Sequence, residues 1–317
     1  MKANLTLFLL CIGLTIASLM VGASNFSWSQ LFSGHHPTWI IFQESRLPRT
    51  ISIVLAGSSM SIAGLLMQTV TQNPFAAPST VGTINAAKLG MVVSLFIFPK
   101  VNLFQKMISA FISAIFFTFL FIRFVRKLSF KERWLLPLVG MIFSGILASI
   151  SELIVFRFNL VQSMASWTQG SFAMIQRNQY EWLFLSLIIL VATWWLADVF
   201  TIMKLGKDTS HSLGISYDKM EKLALFLVAL TTSVTMITVG SLPFLGVIVP
   251  NLVRHFLGDN IRKVKMKIAL TGACLVLACD IISRIVIRPY EVSVSLILGI
   301  LGSSVFMFLL WRGAKDA

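Results

Sequence analysis

Apolar runs of spanning length, separated by short basic or proline-bearing breaks, repeat along almost the whole chain. They fall at 5–22, 50–70, 84–99, 107–123, 135–156, 180–198, 221–239, 242–257, 266–287 and 292–311. About 20 apolar residues, rising about 1.5 Å each, cross a hydrocarbon core of roughly 30 Å. The pattern predicts an all-α polytopic membrane protein with about ten transmembrane helices, organised as a single transmembrane domain over residues 1–317. Two runs are weak as lone spans and are expected to be broken or tilted. The run at 84–99 carries Lys88, and the run at 242–257 is short and holds Pro243 and Pro250. The first run exceeds the h-region of a signal peptide and is expected to remain as an uncleaved helix.

The stretch from Arg46 to Gly82, RLPRTISIVLAGSSMSIAGLLMQTVTQNPFAAPSTVG, concentrates several signals. Arg46 and Arg49 bracket a Leu-Pro step and predict a charged, kinked collar. The charge-free run that follows is crowded with Ala56, Gly57, Ser58, Ser59, Ser61, Ala63 and Gly64. Small residues let helix backbones approach closely, the main source of packing energy between helices in lipid. Pro74 and Pro78 then end the helix in a short return. A faint echo pairs 68–82 with 238–258, each carrying two prolines after a span, as internal repeats in transporters do.

Composition agrees: 56% of residues are apolar, 12% are charged, and mean hydropathy is +0.85. A soluble domain carries about twice that charged fraction. The net charge of +14 does not indicate nucleic acid, because the basic residues flank apolar runs instead of gathering on a polar face. With the N-terminus inside, seventeen Lys and Arg fall in inner loops and ends and eight in outer loops, with Lys88 left over. That bias predicts that both termini are cytoplasmic. Cys11, Cys274 and Cys279 lie in apolar runs without CxxC spacing and are expected to be small packing residues, neither metal ligands nor disulfides.

Three stretches could carry chemistry. In 203–216, MKLGKDTSHSLGIS, the Leu-Gly pairs at 205–206 and 213–214 bracket room for a short helix, which fits either a docking knob or an ordinary surface loop. Its GKDTS is no phosphate loop: Thr201 stands where the first glycine belongs, and Asp208 follows the lysine. The chain is therefore expected to be a transport subunit without an ATPase site. In 240–260, Pro243 and Pro250 around Gly246 predict an interrupted helix, lining a cavity or kinked for packing. Third are the ionisable residues near spans. Asp280 and Arg284, four apart, are expected to pair on one helix face. Arg46, Arg49, Arg284, Arg288 and Glu291 collect at outer helix ends, as exposed carboxylate anchors or as snorkelling side chains. No Ser-His-Asp, HExxH or paired-carboxylate arrangement stands out, and no catalytic residue, metal site or cofactor is expected. A secondary transporter driven by an ion gradient, with Lys88, Glu152 or Asp280 as coupling sites, is the alternative function.

RLPRT…AGSSMSIAGLLMQTVTQNPFAAPSTVG, KLGKDTSHSLGIS, GSLPFLGVIVPNLVRHFLGDN and CDIISRIVIRPYEVSVSLILGILGSSVFMFLLWR, in this order, resemble the FecCD-type iron-siderophore and cobalamin permeases of ABC importers. The resemblance implies the type II importer fold: ten helices per subunit, and two permease subunits, identical or paralogous, around a central path. It also implies a cytoplasmic ABC ATPase dimer, an extracytoplasmic siderophore-binding lipoprotein, surrounding membrane lipid, and iron(III)-siderophore carried by alternating access. Arg46 and Arg284 then match the arginines that meet glutamates of the binding protein, with Arg49, Arg288 and Glu291 as additions. The segment 204–216 matches the coupling helix seated in the ATPase, through Leu205, Gly206, Lys207, Asp208, Thr209, Ser210, His211, Leu213 and Gly214. The chain departs from the family at NPFAAP, EVSVS and INAAKLG, and so leans towards the catecholate-type siderophore branch.

Overall fold

The computed structural model describes residues 2–22, 36–98, 101–127, 135–175, 177, 179–287 and 290–313, and every regular element among them is helical. Helix α1 (Lys2–Met20) is followed by α2 (His36–Ile41), which runs through a π-helical turn (Phe42–Arg46) into α3 (Leu47–Thr71). Then come α4 (Thr83–Ile97), α5 (Leu103–Lys127), α6 (Leu135–Arg157) and the short α7 (Val161–Thr168). A 3-10 helix (Tyr180–Ser186) leads into α8 (Leu187–Trp195), followed by α9 (Ala197–Met203) and α10 (Lys207–Ser212). The remaining helices are α11 (Tyr217–Thr238), α12 (Leu245–Leu257), α13 (Ile261–Ile285) and α14 (Val294–Gly313).

Five helical stretches are each long and apolar enough to cross a bilayer: Thr38–Thr71, Leu103–Lys127, Leu138–Arg157, Tyr217–Thr238 and Ile261–Ile285. The bent pair Tyr180–Trp195 and Ala197–Met203 qualifies jointly, and α1, α4, α12 and α14 are shorter apolar helices. All ten apolar runs of the sequence are thus helices.

The small-residue helix α3 is central, packed against α11, α12 and α13. Every residue from Leu55 to Val70 is buried. Three serine hydroxyls in its middle turn back on their own helix: Ser58 Oγ donates to the Val54 carbonyl at 2.7 Å, Ser59 to Leu55 at 2.6 Å and Ser61 to Gly57 at 2.7 Å. Polar atoms are thereby satisfied without a partner helix, and the backbone stays free to approach neighbours. A Cβ on Gly57 would lie 2.7 Å from the Gly272 carbonyl of α13, and one on Gly64 would lie 2.1 Å from the Gly246 carbonyl of α12. Both crossings require glycine.

The breaks differ from expectation in two places. Arg46-Leu47-Pro48-Arg49 is not a kinked collar outside the membrane helix, because the chain stays helical from His36 to Thr71. The π-helical turn absorbs the irregularity: the Leu47 N–H reaches the Phe42 carbonyl, five residues back, just before Pro48, whose ring nitrogen cannot donate. The sharp bend falls in neither of the two weak runs. It lies at Leu196, where α8 and α9 meet at 74°. There the Trp194 carbonyl at the end of α8 accepts the Lys265 ammonium at 2.8 Å, a side-chain cap for an orphaned group.

The run at 242–257 enters its helix through Phe244 in the left-handed region (φ 59°) and continues through Pro250. Proline there cannot donate to the carbonyl four residues back, which is that of Gly246. Gln68 Nε2 of α3 donates to that carbonyl at 3.3 Å instead. The Gly64–Gly246 crossing brings α3 close enough for this replacement.

Candidate functional site

Charge gathers at the two opposite ends of α3. At its start, Arg49 grips two carboxylates from distant parts of the chain. Its Nη2 lies 2.7 Å from Asp280 Oδ1 and 2.8 Å from Glu291 Oε2, and its Nη1 lies 3.0 Å from Glu291 Oε1. Asp280, fully buried on α13, also receives Arg284 Nη2 one turn along. The expected Asp280–Arg284 pair is present, and Arg49 makes it a triad. A buried carboxylate shared by two guanidiniums satisfies the rule that intramembrane charges pair.

Arg46 and Arg284 are not the exposed anchors of the sequence reading; each is only 6% exposed. Both reach the C-terminal end of α1. Arg46 Nη1 donates to the carbonyls of Leu19 and Met20 (3.0 Å for the latter). Arg284 Nη1 donates to those of Ser18 (2.8 Å) and Val21, and its Nη2 to Ser18 Oγ at 2.7 Å. The last carbonyls of a helix lack internal partners and carry its partial negative charge, so two arginines are a strong cap. Arg288 lies outside the described residues. The partners on α1 had no sequence signal, whereas the Arg49–Asp280 contact follows from the pairing demanded of a carboxylate inside a span.

At the other end of α3, the proline-broken return is tied to two neighbours. Gln72, left-handed at φ 54°, donates to the Met203 carbonyl of α9 at 2.8 Å. Asn251 Nδ2 of α12 donates to the Pro74 carbonyl at 2.7 Å. Arg254 Nη2 completes the junction, 2.6 Å from Gln68 Oε1 and 2.7 Å from Asn251 Oδ1. The two stretches linked by the sequence echo thus pack directly against each other. They border a cleft of about 550 Å³ that Lys204, Arg254 and Asp259 also line. Lys204 Nζ donates to Asp259 Oδ1 at 2.9 Å. Burial alone would raise the Asp259 carboxyl, but the hydrogen bond and charge of Lys204, with Arg254, hold it below the usual carboxylate range. Burial and the Arg254 charge in turn push the Lys204 ammonium down, against the pull of Asp259.

Next to this cleft, Gly206 (φ 99°) and Gly214 (φ 79°) bracket α10, the short helix expected between the Leu-Gly pairs. Positive φ is a conformation that only glycine adopts freely, so the two residues turn the chain sharply into and out of the helix. Ser210 is buried and donates to the Gly206 carbonyl of its own helix at 2.7 Å and to the Ile202 carbonyl of α9 at 3.3 Å, tying α10 to α9. Lys207 pairs with Asp218 at 2.9 Å. Asp208, Thr209 and His211 are exposed, and Leu205 (62% exposed) and Leu213 (57%) stand out at the two ends. Lys88 and Glu152, the remaining intramembrane charges of the alternative reading, meet each other at 4.0 Å.

The sequence profile of the FecCD transport family matches residues 9–312. The chain is 40% identical over 306 residues to the petrobactin import system permease protein YclN of Bacillus subtilis, covering 96% of this chain and 97% of that one. It is 36% identical over 311 residues to the ferric-anguibactin transport system permease protein FatD of Vibrio anguillarum, covering 98% of each. Among solved structures, a metal-chelate type ABC transporter in an inward-facing conformation superposes with a TM-score of 0.77 at 24% identity, covering 98% of this chain and 99% of that one.

Proposed function

The chain belongs to the FecCD transport family, and from that premise we propose that it carries a catecholate-type iron(III)-siderophore across the bacterial cytoplasmic membrane as the permease subunit of an ATP-driven ABC importer. The observation that carries the cargo assignment is the end-to-end 40% identity to a petrobactin permease, with a ferric-anguibactin permease close behind. The whole of residues 1–317 acts as one transmembrane permease domain with both termini in the cytoplasm.

In this reading each end of α3 has its own partner. On the cytoplasmic side an ABC ATPase dimer receives α10 in a cleft, with Leu205 and Leu213 buried on contact. Glycines at 206 and 214 let α10 follow the ATPase, while Gln72–Met203 and Lys204–Asp259 pass its movement to the proline return and to α12. A second permease subunit, identical or paralogous, completes the path. On the outer side a siderophore-binding lipoprotein docks through carboxylates on Arg46, Arg49 and Arg284, with Glu291 beside them. Arg46 and Arg284 hold the end of α1, so an incoming carboxylate has to share or displace those carbonyls.

An ion-gradient mechanism finds little to use here. Asp280 is clamped between two guanidiniums, with Arg49 on one carboxylate oxygen and Arg284 on the other.

The cargo test is uptake by the reconstituted importer with its lipoprotein. Ferric catecholates should enter in preference to ferric hydroxamates, ferric citrate and cobalamin. Equal uptake of all four, or preference for one of the last three, rejects the cargo assignment while leaving the permease role intact.

A further inference from the structure

A second cavity, of about 1050 Å³, opens between α1, the α8–α9 bend and the start of α13. Its floor is apolar: Leu5 and Phe8 of α1, and Met266 and Leu270 of α13. Leu5, Phe8 and Met266 are exposed, facing outward from the bundle. Its rim is basic, with Arg262, Lys263 and Lys265 along the first turns of α13. Asp198 is the one carboxylate on the lining, 3.5 Å from Arg262 Nη1.

Trp194 marks the level of the rim. Lys265 Nζ lies 4.1 Å above its ring while donating to its carbonyl, so the ammonium is fixed at the mouth of the groove. Tryptophan and lysine settle together at the boundary between hydrocarbon and headgroups. The groove therefore begins at headgroup depth and continues down into the hydrocarbon layer. With the N-terminus inside, the rim lies in the cytoplasmic leaflet.

We propose that this groove is a binding site for an anionic phospholipid of the inner leaflet, with the phosphate held by Arg262, Lys263 and Lys265 and an acyl chain lying over Leu5, Phe8 and Met266. Two features set it apart from the ordinary lipid-facing surface. The surface is concave at the 74° bend between α8 and α9, and three cations face one carboxylate at a single depth. Basic pockets between helices at the cytoplasmic boundary bind acidic headgroups for this reason. The occupied site would also brace the bend at Leu196, because the lipid would touch α1, α8 and α13 together. The proposal rests on the inward placement of the basic rim and on no assumption about cargo or ATPase.

The test uses the full-length protein purified in neutral detergent. Lipid retention is read by native mass spectrometry, and the unfolding midpoint is followed with added phosphatidylglycerol, phosphatidylcholine or inorganic phosphate. Each Lys or Arg near a membrane surface favours acidic lipid several-fold, and Asp198 offsets one of the three. A preference for phosphatidylglycerol over phosphatidylcholine on the order of twenty-fold is therefore expected. Phosphatidylglycerol alone should raise the midpoint. The R262Q/K263Q/K265Q variant should lose the preference, and R123Q/K127Q/K219Q, which removes equal charge elsewhere, should keep it. Equal retention of both lipids by the wild-type protein overturns the proposal even if the first variant fails to fold. So does a preference that survives in that variant, or a midpoint shift reproduced by inorganic phosphate alone.

Discussion

The two ends of α3 solve the same problem, polar groups inside a membrane protein, in opposite ways. At its N-terminal end the solution is charge against charge: Arg49 and Arg284 share a buried Asp280, and Arg284 also caps α1. At its C-terminal end, beside Arg254 and the exposed Lys204–Asp259 pair, side-chain amides bond to backbone carbonyls. Gln68 serves Gly246, Gln72 serves Met203 and Asn251 serves Pro74. A buried ion cluster is costly to open, since any separated member is a naked charge in low dielectric. Amide-to-carbonyl bonds exchange with water or with one another for far less. The N-terminal end is therefore the costlier one to open. The C-terminal end, where α10 hangs between two glycines, can exchange its bonds more cheaply.

That contrast can be broken first at its costlier side. Asp280→Ala leaves two buried guanidiniums without their shared acceptor, and removing one partner of a buried pair costs about 3–5 kcal/mol. The variant should fail to yield monodisperse protein in detergent, which size-exclusion chromatography after extraction will show. Gly64→Ala comes next. Its methyl group would sit 2.1 Å from the Gly246 carbonyl, and overpacking of this kind costs about 1–3 kcal/mol or more. It should lower the unfolding midpoint clearly and reduce uptake. Gln68→Ala sharpens the comparison at the C-terminal end of α3. It strands the Gly246 carbonyl beside Pro250 and removes a partner of Arg254, a loss of about 1–3 kcal/mol. Transport should suffer in that variant while the protein still purifies intact. Leu205→Asp with Leu213→Asp is the mildest for the fold, since both side chains are exposed and surface changes usually stay within about 0.5 kcal/mol. In the proposed assembly the same pair should abolish co-purification with the ATPase, measured by pull-down.

Much of this architecture was legible before any coordinates. Ten apolar runs became helices, and the crowd of small residues around Gly57 and Gly64 became close backbone crossings. Leu-Gly repeats at 205 and 213 framed a short helix because positive φ at Gly206 and Gly214 is written in the residue type itself. Local pattern carried these features. What it missed depends on distance through the fold. Arg46 and Arg284 look like exposed rim residues in sequence, but the backbone end of α1 buries them, and a carbonyl has no sequence signature. The bend at Leu196 was hidden inside an uninterrupted apolar run without proline or glycine. A contact at the bend comes from far along the chain, where the Lys265 ammonium caps α8 at Trp194. The proline at 250, by contrast, announced a break that Gln68 largely repairs.

The claim at the centre of this account is that the chain is a path moved from its inner face and has no motor of its own. The direct measurement is accumulation of a ferric catecholate in proteoliposomes holding the permease pair, with lipoprotein outside and ATP inside. Uptake should require the ATPase and ATP together, and should disappear when α10 carries Leu205→Asp and Leu213→Asp. Accumulation driven by a proton or sodium gradient alone, in liposomes lacking the ATPase, would contradict it.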